Sequence, residues 1–107
     1  LSVTGGFNVY PKELESLIDD IPGVLESAVI GLPHPDFGEA VVAVVVRQDP
    51  ALTLEQIETV MGRDLAKFKQ PKQILFLPEL PRNTMGKVQK KALRETYNDL
   101  FGQDLPT

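Results

Sequence analysis

Seven consecutive residues near the middle of the chain, Ala40-Val-Val-Ala-Val-Val-Val46, carry no polar side chain. A strand with one wet face alternates apolar and polar residues, so a run that is apolar at every position must be covered on both faces. β-Branching favours extended backbone here, and the length suits a strand better than a helix. This run is expected to form the middle of a sheet.

Its flanks read as the remaining parts of one small fold. Leu14, Leu17, Ile18 and Ile21 fall at i, i+3, i+4 and i+7 behind Pro11, which predicts an amphipathic helix over 11–21, stopped by Pro22-Gly23. Ser27–Leu32 reads as a strand and Pro33–Gly38 as a turn-rich loop. Asp49-Pro50 breaks the chain before Thr53-Leu-Glu-Gln56, which has capping-box spacing; Leu54, Ile57, Met61 and Leu65 then mark one face of a second helix, its last turn weakened by Gly62. Gln73–Leu77 is a short strand between Pro71 and Pro78, and Leu93, Tyr97 and Leu100 give a third helix its stripe. The pattern predicts an α+β domain, a small, mainly three-stranded sheet packed by about three helices. A chain of 107 residues supports one such core rather than two, so 1–107 reads as a single domain with a fraying tail at 101–107.

Several function classes are disfavoured. Residues 1–64 carry three cations against eleven anions, whereas 65–107 carry eight against four. The acidic first part argues against wrapping nucleic acid, while a local basic site for a small phosphorylated ligand stays open. With no cysteine there is no disulfide framework or thiolate chemistry, which fits a cytoplasmic protein. Neither a signal peptide nor a membrane span is expected, and the start at Leu1 suggests a piece of a longer protein. His34, the only histidine, has no second imidazole for a zinc set and reads as a turn residue, and no metal site is expected. Ser2, Ser16 and Ser27 show no triad arrangement. Gly5-Gly6 lacks the dinucleotide fingerprint and reads as a loop.

Gly86-Lys87 is not a P-loop either, because Pro81 and Val88 stand where that motif needs glycine and a hydroxyl residue. Yet Lys87, Lys90, Lys91 and Arg94 crowd one helix start, where cations oppose the macrodipole and repel each other. Such crowding makes sense if an anion visits. Lys87, a point charge on a long stem behind a flexible Met85-Gly86 step, is suited to reaching a phosphate or carboxylate brought by another body.

Four blocks, TGGFNVYPKELE (4–15), GLPHPDFGE (31–39), LAKFKQPKQI (65–74) and LPRNTMGKVQKKALR (80–94), resemble in order and separation the mobile C-terminal domain of adenylate-forming acyl-CoA synthetases, most of all the malonyl-CoA synthetase branch. The resemblance implies a two-step ligase, in which a carboxylate and ATP give acyl-adenylate and pyrophosphate, and CoA then displaces AMP. It implies that a larger N-terminal domain binds ATP, Mg2+ and the acid, and that the isolated chain is inactive. Lys87, in a loop spanning 80–94, matches the adenylation lysine. Gly5, Gly6 and Phe7, following a sheet edge within 1–10, match the loop beside the pantetheine tunnel, with Phe37 near it. Phe68, Lys69 and Lys72 match the segment that meets the CoA nucleotide; Gln70 and Asn8 depart from basic residues found in some relatives. Partners implied are the N-terminal domain, CoA, and a lysine acetyltransferase and deacetylase acting on Lys87. The rival expectation is a non-catalytic binding module, such as an acetyltransferase substrate domain.

Overall fold

A computed structural model describes residues 10–102, apart from the side chain of Phe68. The apolar run lies inside β2 (Gly38–Arg47), the central strand of a three-stranded sheet ordered β1-β2-β3. β1 (Val24–His34) pairs antiparallel with β2 from Val24↔Arg47 to His34↔Gly38. β3 (Gln73–Phe76) pairs parallel with β2, Val42↔Gln73 through Val45↔Phe76. A parallel neighbour requires a crossover. Here it consists of α2 (Leu54–Asp64) and a 3-10 turn, Lys67–Lys69.

Both faces of β2 are covered, as its composition demands. Val29, Val41, Ala43, Val45 and Ile74 meet Leu14 and Ile18 of α1 (Pro11–Asp19) and Ile57 and Met61 of α2. Ala28, Ile30, Leu32, Val42, Val44 and Val46 meet Leu80 and, from α3 (Lys90–Thr96), Leu93. Among the described residues no polar or charged residue is buried, so the interior is packing alone and chemistry is confined to the surface.

The helix limits differ from the periodicity in instructive ways. α1 ends at Asp19, two residues before the apolar stripe does, and Ile21 reaches the core from the following turn. Gly23, at φ +98°, then lends its carbonyl to the N–H groups of Gln48 and Asp49, tying the start of β1 to the end of β2. α2 starts as the capping box predicts, with Thr53 and Gln56 exchanging side-chain to backbone bonds of 3.2 and 2.9 Å. α3 is shorter than its stripe: Thr96 Oγ1 donates back to the Ala92 carbonyl, and Tyr97, Leu100 and Phe101 continue against the core as turns. The expected sheet edge in 1–10 falls outside the described residues except for Tyr10. On its outer side β1 receives Glu15 of α1, whose Oε2 accepts from the Val29 N–H at 2.8 Å and blunts the edge.

Ile57 is fully buried, whereas Leu54 one turn earlier is 40% exposed. Ile57→Ala is therefore expected to cost about 2–5 kcal/mol in urea denaturation, and Leu54→Ala about 0.5 kcal/mol or less.

Candidate functional site

Lys87 sits on a small hairpin that is far better tied than its Met-Gly step suggests. Arg82 and Val88 form an antiparallel bridge, Asn83 N–H donates to the Lys87 carbonyl at 3.0 Å, and Gly86 N–H donates to the Asn83 carbonyl at 2.9 Å. Inside the turn, Asn83 Oδ1 accepts from the N–H groups of Met85 at 3.0 Å and Lys87 at 2.9 Å. Gly86 is required not for looseness but for its φ of +85°, which a side chain would strain. Against the expectation of a loop made flexible by Met85-Gly86, the backbone around Lys87 is thus held by a bridge and four hydrogen bonds within the hairpin. Lys87 is exposed, and among the described residues no carboxylate pairs with it.

The hairpin is braced against the sheet. Arg82 spans it, donating from Nε to the Gly86 carbonyl at 3.1 Å and from both terminal nitrogens to the two carboxylate oxygens of Glu26, one of these bonds measuring 3.1 Å. The hydrogen bonding to Glu26 raises the already high pKa of the guanidinium. Glu26 can meet Arg82 because it lies in phase with Ala28 and Ile30 on β1, and a bulge between Val24 and Glu26 turns only Val24 to the other face. Val24 packs toward the α1/α2 core, whereas Glu26 is paired with Val46, which belongs to the opposite core; Leu25, the extra residue, is left 55% exposed.

The crowd of cations is also less repulsive than the sequence suggests. Lys90 Nζ lies 2.7 Å from Glu15 Oε2, leaving Lys91 and Arg94 exposed beyond Lys87. Around Glu15 and Glu26 gather Asp19 and Asp20, and the Asp19 carboxyl is held above its ordinary value of 3.8 by partial burial, opposed by the Ser27 hydroxyl and assisted by Glu15, Glu26 and Asp20.

A second group forms at the other end of the sheet. In the β1–β2 turn, His34 stacks on Phe37 with centroids 4.3 Å apart, and Phe101 lies against His34 at 4.9 Å. Lys72, just before β3, places Nζ 5.2 Å from the Phe37 centroid, within cation–π range. The Asp36 N–H donates to His34 Nδ1 at 3.1 Å, so His34 organises the turn as well as occupying it. Lys69 is exposed on the 3-10 turn, and Gln70 Nε2 is bonded to the Leu65 carbonyl at 3.4 Å. Gly5, Gly6 and Phe7 lie outside the described residues, as does the side chain of Phe68. Glu26 and His34 are eight residues apart on β1, so the two groups are separated by about 26 Å along the strand. Among the described residues no cluster of three or more His, Cys, Asp or Glu side chains could hold a metal ion, and no helix is long and apolar enough to cross a membrane.

Comparison with known proteins now gives this arrangement its context. Residues 13–87 match the family model described as AMP-binding enzyme C-terminal domain. The chain belongs to this family. It is 46% identical over 96 residues to the long-chain-fatty-acid–CoA ligase FadD13 of Mycobacterium tuberculosis, covering 90% of the chain but 19% of that ligase. It is 43% identical over 93 residues to a long-chain-fatty-acid–CoA ligase of Escherichia coli O157:H7, covering 87% of the chain and 17% of the ligase. Among solved structures, ATP-bound MatB from Rhodopseudomonas palustris superposes with a TM-score of 0.86 at 61% identity, over 94% of this chain and 20% of MatB. The chain thus spans about a fifth of the length of these relatives.

Within this AMP-binding C-terminal domain the residues bracing the candidate site that sequence reading missed are Glu26, Arg82 and Asn83. Asn83 had a local signal, an asparagine three residues before a glycine in a turn. Glu26 had none, because it meets Arg82 across 56 residues of chain.

A carboxyl whose folded pKa exceeds its unfolded value holds its proton better when folded, so ionising Asp19 opposes folding. That penalty is complete above the folded pKa and vanishes below 3.8. Asp19→Asn, which still accepts from Ser27, is expected to stabilise the domain at pH 7 by less than about 1 kcal/mol, since the site is mostly solvated. Denaturation at pH 3 should find no difference.

Proposed function

We propose that Lys87 is the adenylation lysine of an ATP-dependent acyl-CoA synthetase, and that this domain serves both half-reactions of that enzyme from opposite ends of one sheet. The single observation that supports this most strongly is an exposed ammonium group on a braced hairpin in a domain whose interior, among the described residues, is wholly apolar. Such a group has nothing to act on within the domain. It suits a pocket supplied by the rest of the protein, which would hold ATP, Mg2+ and the carboxylate.

In the first half-reaction the carboxylate oxygen attacks the α-phosphorus of ATP, the acyl-adenylate bond forms, and pyrophosphate leaves. Negative charge concentrates between the attacking carboxylate and the α-phosphate oxygens. An ammonium placed there offsets it, and the low dielectric of a closed pocket magnifies the effect. In the second, the CoA sulfur displaces AMP from the acyl carbon. The stacked His34 and Phe37 with Lys72, about 26 Å away, offer an aromatic face and a cation suited to CoA beside its tunnel. On the family resemblance alone, Phe68 and Lys69 are assigned to the CoA nucleotide and Gly5, Gly6 and Phe7 to the tunnel approach. Ends so far apart cannot serve one pocket in one pose, so the domain turns between steps.

Malonate is the acid that best fits, because identity reaches 61% with MatB, a malonyl-CoA synthetase, against 46% with the long-chain ligase FadD13. An acidic, cysteine-free chain is in keeping with work in the cytoplasm. A second reading rests on the same exposed amine: Lys87 could be acetylated by an acetyltransferase and restored by a deacetylase, losing and regaining its charge.

In the full-length protein, Lys87→Ala is expected to lower ATP–pyrophosphate exchange by about 100- to 1000-fold while sparing thioester formation from supplied acyl-adenylate. Phe37→Ala should do the reverse, raising KM for CoA and leaving exchange intact. Equal loss of both half-reactions in either variant defeats the assignment. Exchange measured with malonate and with a long-chain fatty acid should favour malonate by at least about 100-fold, since a polar or charged group missing from a site built to bind it is rejected strongly.

A further inference from the structure

The brace on the hairpin does more than fold stability asks of it. Leu80, 4% exposed, and Leu93, 3% exposed, already pin both ends of the 80–93 segment to the sheet. The ion pair between Arg82 and Glu26 is partly solvated, its side chains 40% and 25% exposed, and pairs of that kind add little to global stability. Its geometry is nonetheless specific. Three guanidinium nitrogens are engaged: two on Glu26 and Nε on the Gly86 carbonyl, one residue from Lys87. Lysine could not make this fork. Glu26 faces Arg82 because it keeps the regular alternation with Ala28 and Ile30 on the side of β1 that Leu80 and Leu93 cover.

We infer that Glu26 is a positioning residue for Lys87. Its carboxylate orients the Arg82 guanidinium, Arg82 Nε holds the Gly86 carbonyl, and Gly86 at φ +85° sets the direction in which the Lys87 side chain leaves the hairpin. With the brace in place, little backbone freedom is left to freeze when Lys87 enters the pocket, so the reaction meets an ammonium already pointed at its target. Removing the Glu26 charge leaves Lys87 present but misdirected. The inference rests on the adenylation role proposed for Lys87.

The test uses the full-length protein and both half-reactions. Glu26→Gln is expected to lower ATP–pyrophosphate exchange by about 10- to 100-fold, with KM for ATP and thioester formation from supplied acyl-adenylate unchanged. Arg82→Lys should match it, because a single ammonium lacks the planar fork that holds both Glu26 oxygens and the Gly86 carbonyl in one fixed geometry. Glu26→Asp, which keeps the charge at shorter reach, should restore most of the exchange and guards against a folding defect in Glu26→Gln. Adding Glu26→Gln to Lys87→Ala should cost nothing further, since a residue that acts only through Lys87 has nothing left to position. A further loss in that background, or equal losses in both half-reactions, overturns the inference. So does full exchange in Glu26→Gln alongside its loss in Lys87→Ala, which leaves the role of Lys87 standing. Full exchange in Lys87→Ala instead removes the role itself, and the inference with it.

Discussion

The burial of β2 on both faces is the constraint from which the rest follows. Ala40 through Val46 are each at most 3% exposed, so one core must lie on either side of the strand. α1 and α2 supply one, α3 and Leu80 the other. With both faces occupied, only the ends of the sheet and its edges remain open to solvent. Burying a charge in either core would cost far more than any ion pair could return. The functional groups are therefore driven to the two ends, and their separation is a direct result of filling the middle.

That separation makes stiffness useful in places where mobility was expected. The hairpin bearing Lys87 is closed by an antiparallel bridge, an Asn83 turn and the Arg82 fork. The β1–β2 turn is held by stacking of His34 on Phe37 and by the Asp36 N–H bond to His34. In the proposed ligase, an end that had to order itself on arrival at the pocket would bear a conformational entropy cost of roughly 1–2 kcal/mol per residue fixed. Motion of the domain as a body, as that proposal has it, would avoid it.

Much of the fold was legible in the sequence, and the reason is periodicity. Valine at five of seven positions in 40–46 marked the central strand, and Thr53 with Gln56 marked the start of α2. Periodicity also overran: α3 closes at Thr96, although Tyr97 and Leu100 keep to the stripe as turns. At the candidate site, Lys87 stood out because its crowding with like charges invited explanation. Glu15 and Glu26 stayed hidden because they partner Lys90 and Arg82 through the folded sheet, at a distance in sequence that no spacing rule spans. Glycine at 86 was noticed for freedom, and the structure adds a dihedral, φ +85°, that favours glycine there.

The bulge at Leu25 has a bearing on how such a domain tolerates change. Counted back from Ser27, Glu26 keeps the regular alternation and shares its face with Ala28 and Ile30, whereas Leu25 is the extra residue that lets Val24 turn to the α1/α2 side. Losing Leu25 would leave Val24 opposite Arg47 and Glu26 opposite Val46 in plain alternation, and Arg82 would keep its partner. One residue more between Glu26 and Ser27 would instead hand the carboxylate to the α1/α2 side, among apolar neighbours. The strand thus forgives change ahead of its carboxylate and not behind it.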